Sequence, residues 1–176
     1  MRTHRVALLT GDGVGPVLAR EADDLLALLG HRFGFCCETA LLPFGREAFT
    51  AFGTPLPDET AKGIRSADAA FAAAVDAKGV TGPTPVGLLR KKLDLFADVR
   101  PIRARPGRWS LREDLDLVVI RAITQGFLSD RNLHAGCGEW MSDADTAFSL
   151  RVITYGASRR IADHAFDYAE KNGRKR

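Results

Sequence analysis

Apolar residues near the start of the chain form first a short continuous run and then a helical stripe. Residues 5–10 make up the run, which predicts a buried strand, and the loop 11–16 follows it directly. Behind the loop, apolar residues repeat on one helical face as far as Gly30, where we predict that the helix ends. A strand, a glycine loop and a helix in this order are typical of α/β proteins.

The same two patterns continue to the end of the chain. Further strands are predicted at residues 33–42, 69–75, 115–120 and 148–155. Further helices are predicted from Asp58 onward, from Val86 until the chain becomes extended near Val99, and over residues 157–172. Together these elements predict an α/β protein with a mostly parallel sheet and helices on both faces, divided into lobes at residues 1–97 and 98–176.

The composition is that of a soluble globular protein. The chain has 176 residues, of which 45% are hydrophobic and 27% charged, and its formal net charge is +3. This charge is too small to indicate nucleic-acid binding, no apolar run is long enough to span a bilayer, and the start does not match a signal peptide. The cysteines, Cys36, Cys37 and Cys137, predict reduced thiols in the cytoplasm.

Three arginines are the strongest candidates for chemistry. Arg90 and Arg100 bracket the predicted helix in 86–101, and Arg121 directly follows the strand 115–120. A guanidinium pairs bidentately with a carboxylate and does not lose its charge. The set therefore predicts a site for a small acid. Basic residues also form solvated helix faces, however, and we note Asp94 and Asp98 as carboxylates that could neutralise the arginines instead.

The loop G-D-G-V-G-P is less specific. Pro16 stands where the third glycine of a dinucleotide-binding fingerprint belongs. A tight turn between strand and helix and an anion site at a helix start both stay open. A metal site is not expected, because His134, Cys137, Glu139, Asp143 and Asp145 lack the compact spacing of a zinc motif.

Several segments resemble one family in order and spacing. L-R-K-K-L-D-L-F-A-D-V-R-P is similar to the L-R-x-x-L-D-L-[FY]-A-x-x-R-P element of the β-decarboxylating dehydrogenases, and G-D-G-V-G-P, G-T-P-L-P-D-E-T and A-S-R-R-I-A-D-H-A-F match other family segments. The resemblance implies an isopropylmalate dehydrogenase-like fold in which Arg90, Arg100 and Arg121 bind substrate carboxylates. It also implies that residues 132–151 project as an arm that pairs with a second subunit.

The sequence departs from the family pattern at three informative positions. Val17 replaces a glutamate, Ala122 another glutamate, and Leu128 the tyrosine that assists proton transfer. An isobutyl group cannot donate a proton. Family members are considerably longer, and the resemblance places their catalytic lysine, metal-binding aspartates and adenine-side loop beyond residue 176.

These observations predict a truncated, degenerate family member that binds a small di- or tricarboxylate. The family uses NAD or NADP with Mg²⁺ or Mn²⁺, but for this chain alone we expect no cofactor or metal, and no catalytic residue is assigned. Two alternatives stay open: the N-terminal half of a split NAD-dependent enzyme, and a cofactor-free lyase or decarboxylase with Asp130 or His134 as its proton-transferring group. Because the family's first sheet is completed by its C-terminal half, we expect an open sheet edge and a homodimer or heteromer.

Overall fold

The chain divides into two compact units, Met1–Leu93 and Asp94–Arg176. The computed structural model describes residues 2–80, 84–110, 112–126 and 138–175. The predicted boundary after residue 97 falls within the first strand of the second unit, Ala97–Arg103.

The first unit is a parallel sheet with helices. Its elements are β1 (Arg2–Leu9), α1 (Gly15–Phe33), β2 (Phe35–Leu42), α2 (Arg46–Phe52), α3 (Asp58–Ser66), β3 (Ala69–Ala72) and α4 (Pro85–Lys92). The strand order is β2-β1-β3, and both neighbours run parallel to β1. The predicted α/β class is confirmed.

The middle strand of this sheet is covered on both faces. Val6, Ala7, Leu8 and Leu9 are all buried although successive strand residues point to opposite faces. Leu9 packs in a cluster with Phe44, Leu56 and Ala61, to which α3 and α4 add side chains. All four residues of β3 are exposed, and among the described residues this strand pairs with β1 alone. Its other edge is therefore open.

Helix α1 ends at a different glycine from the one predicted. Gly34 has a φ of +77° and its N–H donates to the carbonyl oxygen of Gly30 at 2.9 Å, which closes the helix. Gly30 itself lies inside the helix, where a Cβ atom would come within 2.7 Å of the carbonyl oxygen of Phe35. The predicted end at Gly30 is wrong, because Gly30 allows the backbone of Phe35 to pack closely against the helix. The helix ends four residues later.

In its described residues, the second unit contains two antiparallel ribbons and a helix. Its elements are β4 (Ala97–Arg103), β5 (Asp116–Ala122), β6 (Glu139–Met141), β7 (Ala147–Ser149) and α5 (Tyr155–Lys171). β4 pairs with β5 and β6 with β7. The predicted strand 148–155 is shorter than expected: β7 ends at Ser149, and Thr154 caps α5 by accepting a hydrogen bond from the N–H of Ala157 at 3.3 Å.

Helix α5 contacts the segment that precedes β4 through an ion pair and through an aromatic ring. Arg160 pairs with Asp94 at 2.7 Å and its guanidinium lies 3.8 Å from the centroid of the Phe96 ring. His164 meets the same ring edge-on at 5.5 Å. In the parts of the chain that the structure describes, no helix has the length and apolar character needed to cross a membrane.

Candidate carboxylate-binding site

Arg100 and Arg121 lie on one face of the β4–β5 ribbon. The register places Asp98 directly opposite Arg121, and Arg100 lies two residues from Asp98 on the same strand. Side chains two apart on a strand share a face, as do directly opposed residues on neighbouring strands. Arg100 and Arg121 are therefore diagonal neighbours, a geometry in which Cα atoms lie about 7–8 Å apart. Both residues are exposed.

Asp98 is the carboxylate of this face. Its Oδ2 accepts hydrogen bonds from Nε of Arg100 at 3.0 Å and from Nη2 at 2.6 Å. This bond and the charge of Asp98 raise the pKa of Arg100 above its ordinary value, so the guanidinium stays charged. Of the two neutralising aspartates considered from the sequence, Asp98 takes that role for Arg100, whereas Asp94 pairs with Arg160. A guanidinium has further N–H donors besides the two that Asp98 engages.

Arg90 belongs to the other unit, in the last turn of α4. The helix begins at Pro85 because Thr84 caps it, its Oγ1 accepting the N–H of Gly87 at 3.1 Å. Arg90 is half-buried. That Arg90 binds the same ligand as Arg100 and Arg121 stays a prediction.

The glycine loop is organised by an aspartate that the sequence analysis did not single out. The carboxylate of Asp12, only 3% exposed, accepts three backbone N–H groups at 2.8 Å, from Arg46, Glu47 and Asp76. Two of these donors belong to the first turn of α2, so Asp12 caps that helix from another part of the chain. The side chain of Arg46 in turn pairs with the carboxylate of Asp76 at 2.8 Å. No local spacing in the sequence signals this role, because the donors lie 34 to 64 residues away from Asp12 along the chain.

Asp12 also decides what the loop can bind. Burial raises the pKa of its carboxyl, but the N–H groups of Glu47, Arg46 and Asp76 and the charge of Arg46 outweigh this effect and hold the pKa below its ordinary value. The loop therefore carries a fixed negative charge at neutral pH. The carbonyl oxygen of Ala74 packs against Gly11 as well, 2.0 Å from where a Cβ would lie. Both groups are unfavourable neighbours for a phosphate, and the hydrogen bonds of the loop favour the tight-turn interpretation over an anion site.

Side chains of the types that ligate metals are dispersed over the described residues. Within residues 2–80, 84–110, 112–126 and 138–175, no three His, Cys, Asp or Glu side chains come together. Asp143 serves the β6–β7 turn, where its carboxylate accepts the N–H of Asp145 at 2.9 Å. Four residues weighed from the sequence, Leu128, Asp130, His134 and Cys137, lie outside the described residues.

The described part of the predicted arm is the β6–β7 hairpin. Trp140 and Phe148 are directly opposed in its register, and their rings stack with centroids 5.2 Å apart. These two residues and Met141 are exposed. A hairpin that presents stacked aromatic rings and a methionine to solvent has the composition of an interface core.

Comparison with known proteins identifies the family that this chain matches. The sequence profile of the isocitrate/isopropylmalate dehydrogenases matches residues 5–176. The chain is 34% identical over 190 residues to the 3-isopropylmalate dehydrogenase of Prochlorococcus marinus (strain NATL2A), covering 99% of this chain and 52% of that protein. It is 33% identical over 173 residues to the same enzyme of Methanothermobacter thermautotrophicus, covering 98% of this chain and 48% of that protein.

Solved structures agree with the sequence comparison. The isocitrate dehydrogenase of Methylococcus capsulatus superposes with a TM-score of 0.77 at 30% identity, over 98% of this chain and 49% of that one. A beta-decarboxylating dehydrogenase of Thermococcus kodakarensis, in its apo form, superposes with a TM-score of 0.69 at 25% identity, over 97% of this chain and 47% of that one. The chain thus belongs to the isocitrate/isopropylmalate dehydrogenase family, and it spans about half the length of the curated relatives that it matches.

Proposed function

We propose that the chain binds a small di- or tricarboxylate of the 2-hydroxy acid type through Arg100 and Arg121, with Arg90 as a third contact. The observation that carries the proposal is the β4–β5 register, which puts Arg100 and Arg121 on one face beside Asp98. These three side chains sum to one net positive charge, and one added carboxylate balances it.

Asp98 supports binding by orienting its partner. Because Nε and Nη2 of Arg100 both donate to one oxygen of Asp98, the guanidinium is held in one orientation. A planar fork fixed in this way loses less conformational freedom when a carboxylate binds. The acid then lies between Arg100 and Arg121, which grip it with charge-assisted hydrogen bonds.

We further propose that this chain alone does not carry out NAD-linked oxidative decarboxylation. At the positions where the family resemblance expects glutamate and the tyrosine acid, the sequence has Ala122 and Leu128. Asp12 leaves the glycine loop unsuited to a cofactor phosphate. The resemblance assigns the lysine, the metal-binding aspartates and the adenine-side loop to the half of the relatives' length that the chain does not span.

A thermal-shift screen tests the binding proposal. Malate, tartrate, isopropylmalate, citrate and isocitrate are each added to the parent and to Arg100→Ala and Arg121→Ala. At least one acid is expected to raise the Tm of the parent, and both variants are expected to bind it about tenfold to a hundredfold more weakly, since each loses a charge-assisted hydrogen bond of about 1.5–3 kcal/mol.

Arg103→Ala is the matched control. Arg103 lies on the same strand as Arg100, three residues on and hence on the opposite face, and pairs with Asp116 at 3.3 Å. The Arg103→Ala variant loses the same charge, but the substitution lies outside the proposed site. Its response to the acid should therefore equal that of the parent. No stabilisation by any acid, or equal losses in Arg103→Ala and Arg100→Ala, would overturn the proposal.

A second candidate, the front half of a split dehydrogenase, is favoured by the coverage of about half of each relative and by the exposed edge of β3. A complementary chain would then supply further strands and the remaining catalytic groups. Co-purification with a chain that resembles the relatives' other half, together with NAD reduction by the pair, would establish this function. We also propose a cytoplasmic location, which the free thiols of Cys36 and Cys37 support.

A further inference from the structure

The loop between β4 and β5 presents two arginines at one tight turn. The N–H of Arg108 donates to the carbonyl oxygen of Arg105 at 3.1 Å, and Gly107 has a φ of +72°. With Pro106 in the second position, these are the features of a type II β-turn. The first and last Cα atoms of such a turn lie within about 7 Å of each other, so the two arginines start from neighbouring points.

The two turn arginines differ from others in the same loop. Arg112 is paired with Asp114 at 2.7 Å. Within the described residues, by contrast, no carboxylate oxygen lies within 4.0 Å of a side-chain nitrogen of Arg105 or Arg108. Two like charges close together repel each other, and an anion bound between them removes that repulsion.

A tryptophan and a cleft accompany these charges. Trp109 directly follows the turn and is 88% exposed. A cleft of about 610 Å³ is lined by Arg105, Arg108, Trp109 and Glu113, among others. An exposed indole offers a flat apolar face on which an aromatic ring stacks.

We propose that this cleft is a binding site for a nucleoside monophosphate. The phosphate, with a charge of about −1.5 to −2 near pH 7, is held between Arg105 and Arg108. The base stacks on the Trp109 indole, as bases do on aromatic side chains of nucleic-acid-binding proteins. Glu113 accepts hydrogen bonds from the ribose hydroxyls, the role that acidic residues have in other nucleotide sites. The site shares none of its residues with the proposed carboxylate site.

The three parts of the site predict an order of affinities for ligands that engage all of them or only some. A nucleoside monophosphate engages the arginines, the indole and Glu113 together, whereas inorganic phosphate engages the arginines alone and adenosine the other two. Calorimetric titration of the full chain is expected to give a dissociation constant of about 1 mM or tighter for AMP. Phosphate and adenosine are each expected to bind at least about tenfold more weakly than AMP.

Variants assign the binding to this cleft. Arg105→Ala and Arg108→Ala are each expected to weaken AMP binding about tenfold or more. AMP should quench tryptophan fluorescence in the parent but not in Trp109→Leu. Arg112→Ala removes a paired arginine of the same loop and should leave the affinity for AMP unchanged.

Three results would overturn the proposal. The first is an AMP titration that does not saturate. The second is phosphate binding as tightly as AMP, which indicates an ion site without base recognition. The third is an equal loss of affinity in Arg112→Ala and Arg105→Ala, which indicates a response to net charge alone.

Discussion

The carboxylate of Asp12 accepts the backbone N–H of Arg46 at 2.8 Å, although 34 residues separate the two along the chain. The same oxygen accepts the N–H of Asp76, and the other oxygen accepts that of Glu47. One buried side chain thus joins the loop after β1, the start of α2 and the segment after β3. The glycine loop is therefore a structural junction of the first unit.

Removing this carboxylate is expected to destabilise the first unit strongly. Asp12→Ala leaves three backbone donors without their acceptor, and an unsatisfied buried donor costs about 1–3 kcal/mol. Because some donors regain water, we expect a loss of about 3–5 kcal/mol in the free energy of unfolding. Urea denaturation measures it. Asp68→Ala is the control, because Asp68 accepts a single N–H, that of Arg5, at an exposed site. Equal losses in both variants would contradict the assignment.

Asp12 also predicts an acid-sensitive stability. Its pKa in the folded state lies below its ordinary value, since burial, which raises the pKa, is outweighed by the N–H groups of Glu47, Arg46 and Asp76. Its contribution is therefore fully present above the unfolded-state pKa and is lost as the pH falls through the lower folded-state pKa. Urea midpoints measured from neutral to acidic pH should show this loss in the parent. In Asp12→Asn the loss should be smaller, and an unchanged profile would count against the prediction.

Gly45 is predicted to resist substitution because of the same carboxylate. It has a φ of +101°, and a Cβ atom there would lie 2.3 Å from Oδ2 of Asp12. Gly45→Ala should lower the free energy of unfolding by about 3 kcal/mol or more, through backbone strain and displacement of the buried acid. Gly53, with a φ of +71° and no atom within 4 Å of its Cβ position, is the matched control. Gly53→Ala should cost only about 1–2 kcal/mol. Similar losses at both positions would show that only the backbone angle matters.

The nicotinamide cofactors are predicted to bind negligibly to the glycine loop. Calorimetric titrations with NAD and NADP are best made on the Arg105→Ala, Arg108→Ala double variant, so that the proposed nucleotide cleft does not contribute. Since Asp12 is ionised and engaged by backbone donors, no micromolar binding of either cofactor is expected. A micromolar dissociation constant for NAD or NADP would refute this expectation.

The β6–β7 hairpin is predicted to mediate assembly into a homodimer or a heteromer. Light scattering of the parent at micromolar concentration should show a species larger than a monomer. Trp140→Glu places a charge on the stacked aromatic pair and should shift the population toward the monomer. Phe166→Ser, which removes an aromatic side chain 77% exposed on α5, should leave the assembly intact. A stable monomeric parent with no co-purifying partner would contradict the prediction.

The sequence by itself determined the elements that local patterns control. The apolar run of β1, the helical stripe of α1 and the helix-to-strand change from α4 to β4 follow from residues close together in the chain. The family followed from motifs distributed over the chain in a fixed order, which the profile match over residues 5–176 confirms. Charge and composition directed attention to the arginines, because side-chain chemistry is a property of each residue alone.

Only the tertiary structure decided which residues meet. Gly30 and Gly34 are equally able to end a helix, and the choice depended on the packing of Gly30 against Phe35. Asp12 gained its partners from segments 34 and 64 residues away, which no local spacing encodes. The β4–β5 register placed Asp98 opposite Arg121, whereas a slip of one residue would have sent Arg121 to the other face from Arg100. Such contacts depend on how distant segments pack, because the free energy of each contact is set by residues that are neighbours in space but lie far apart in the sequence.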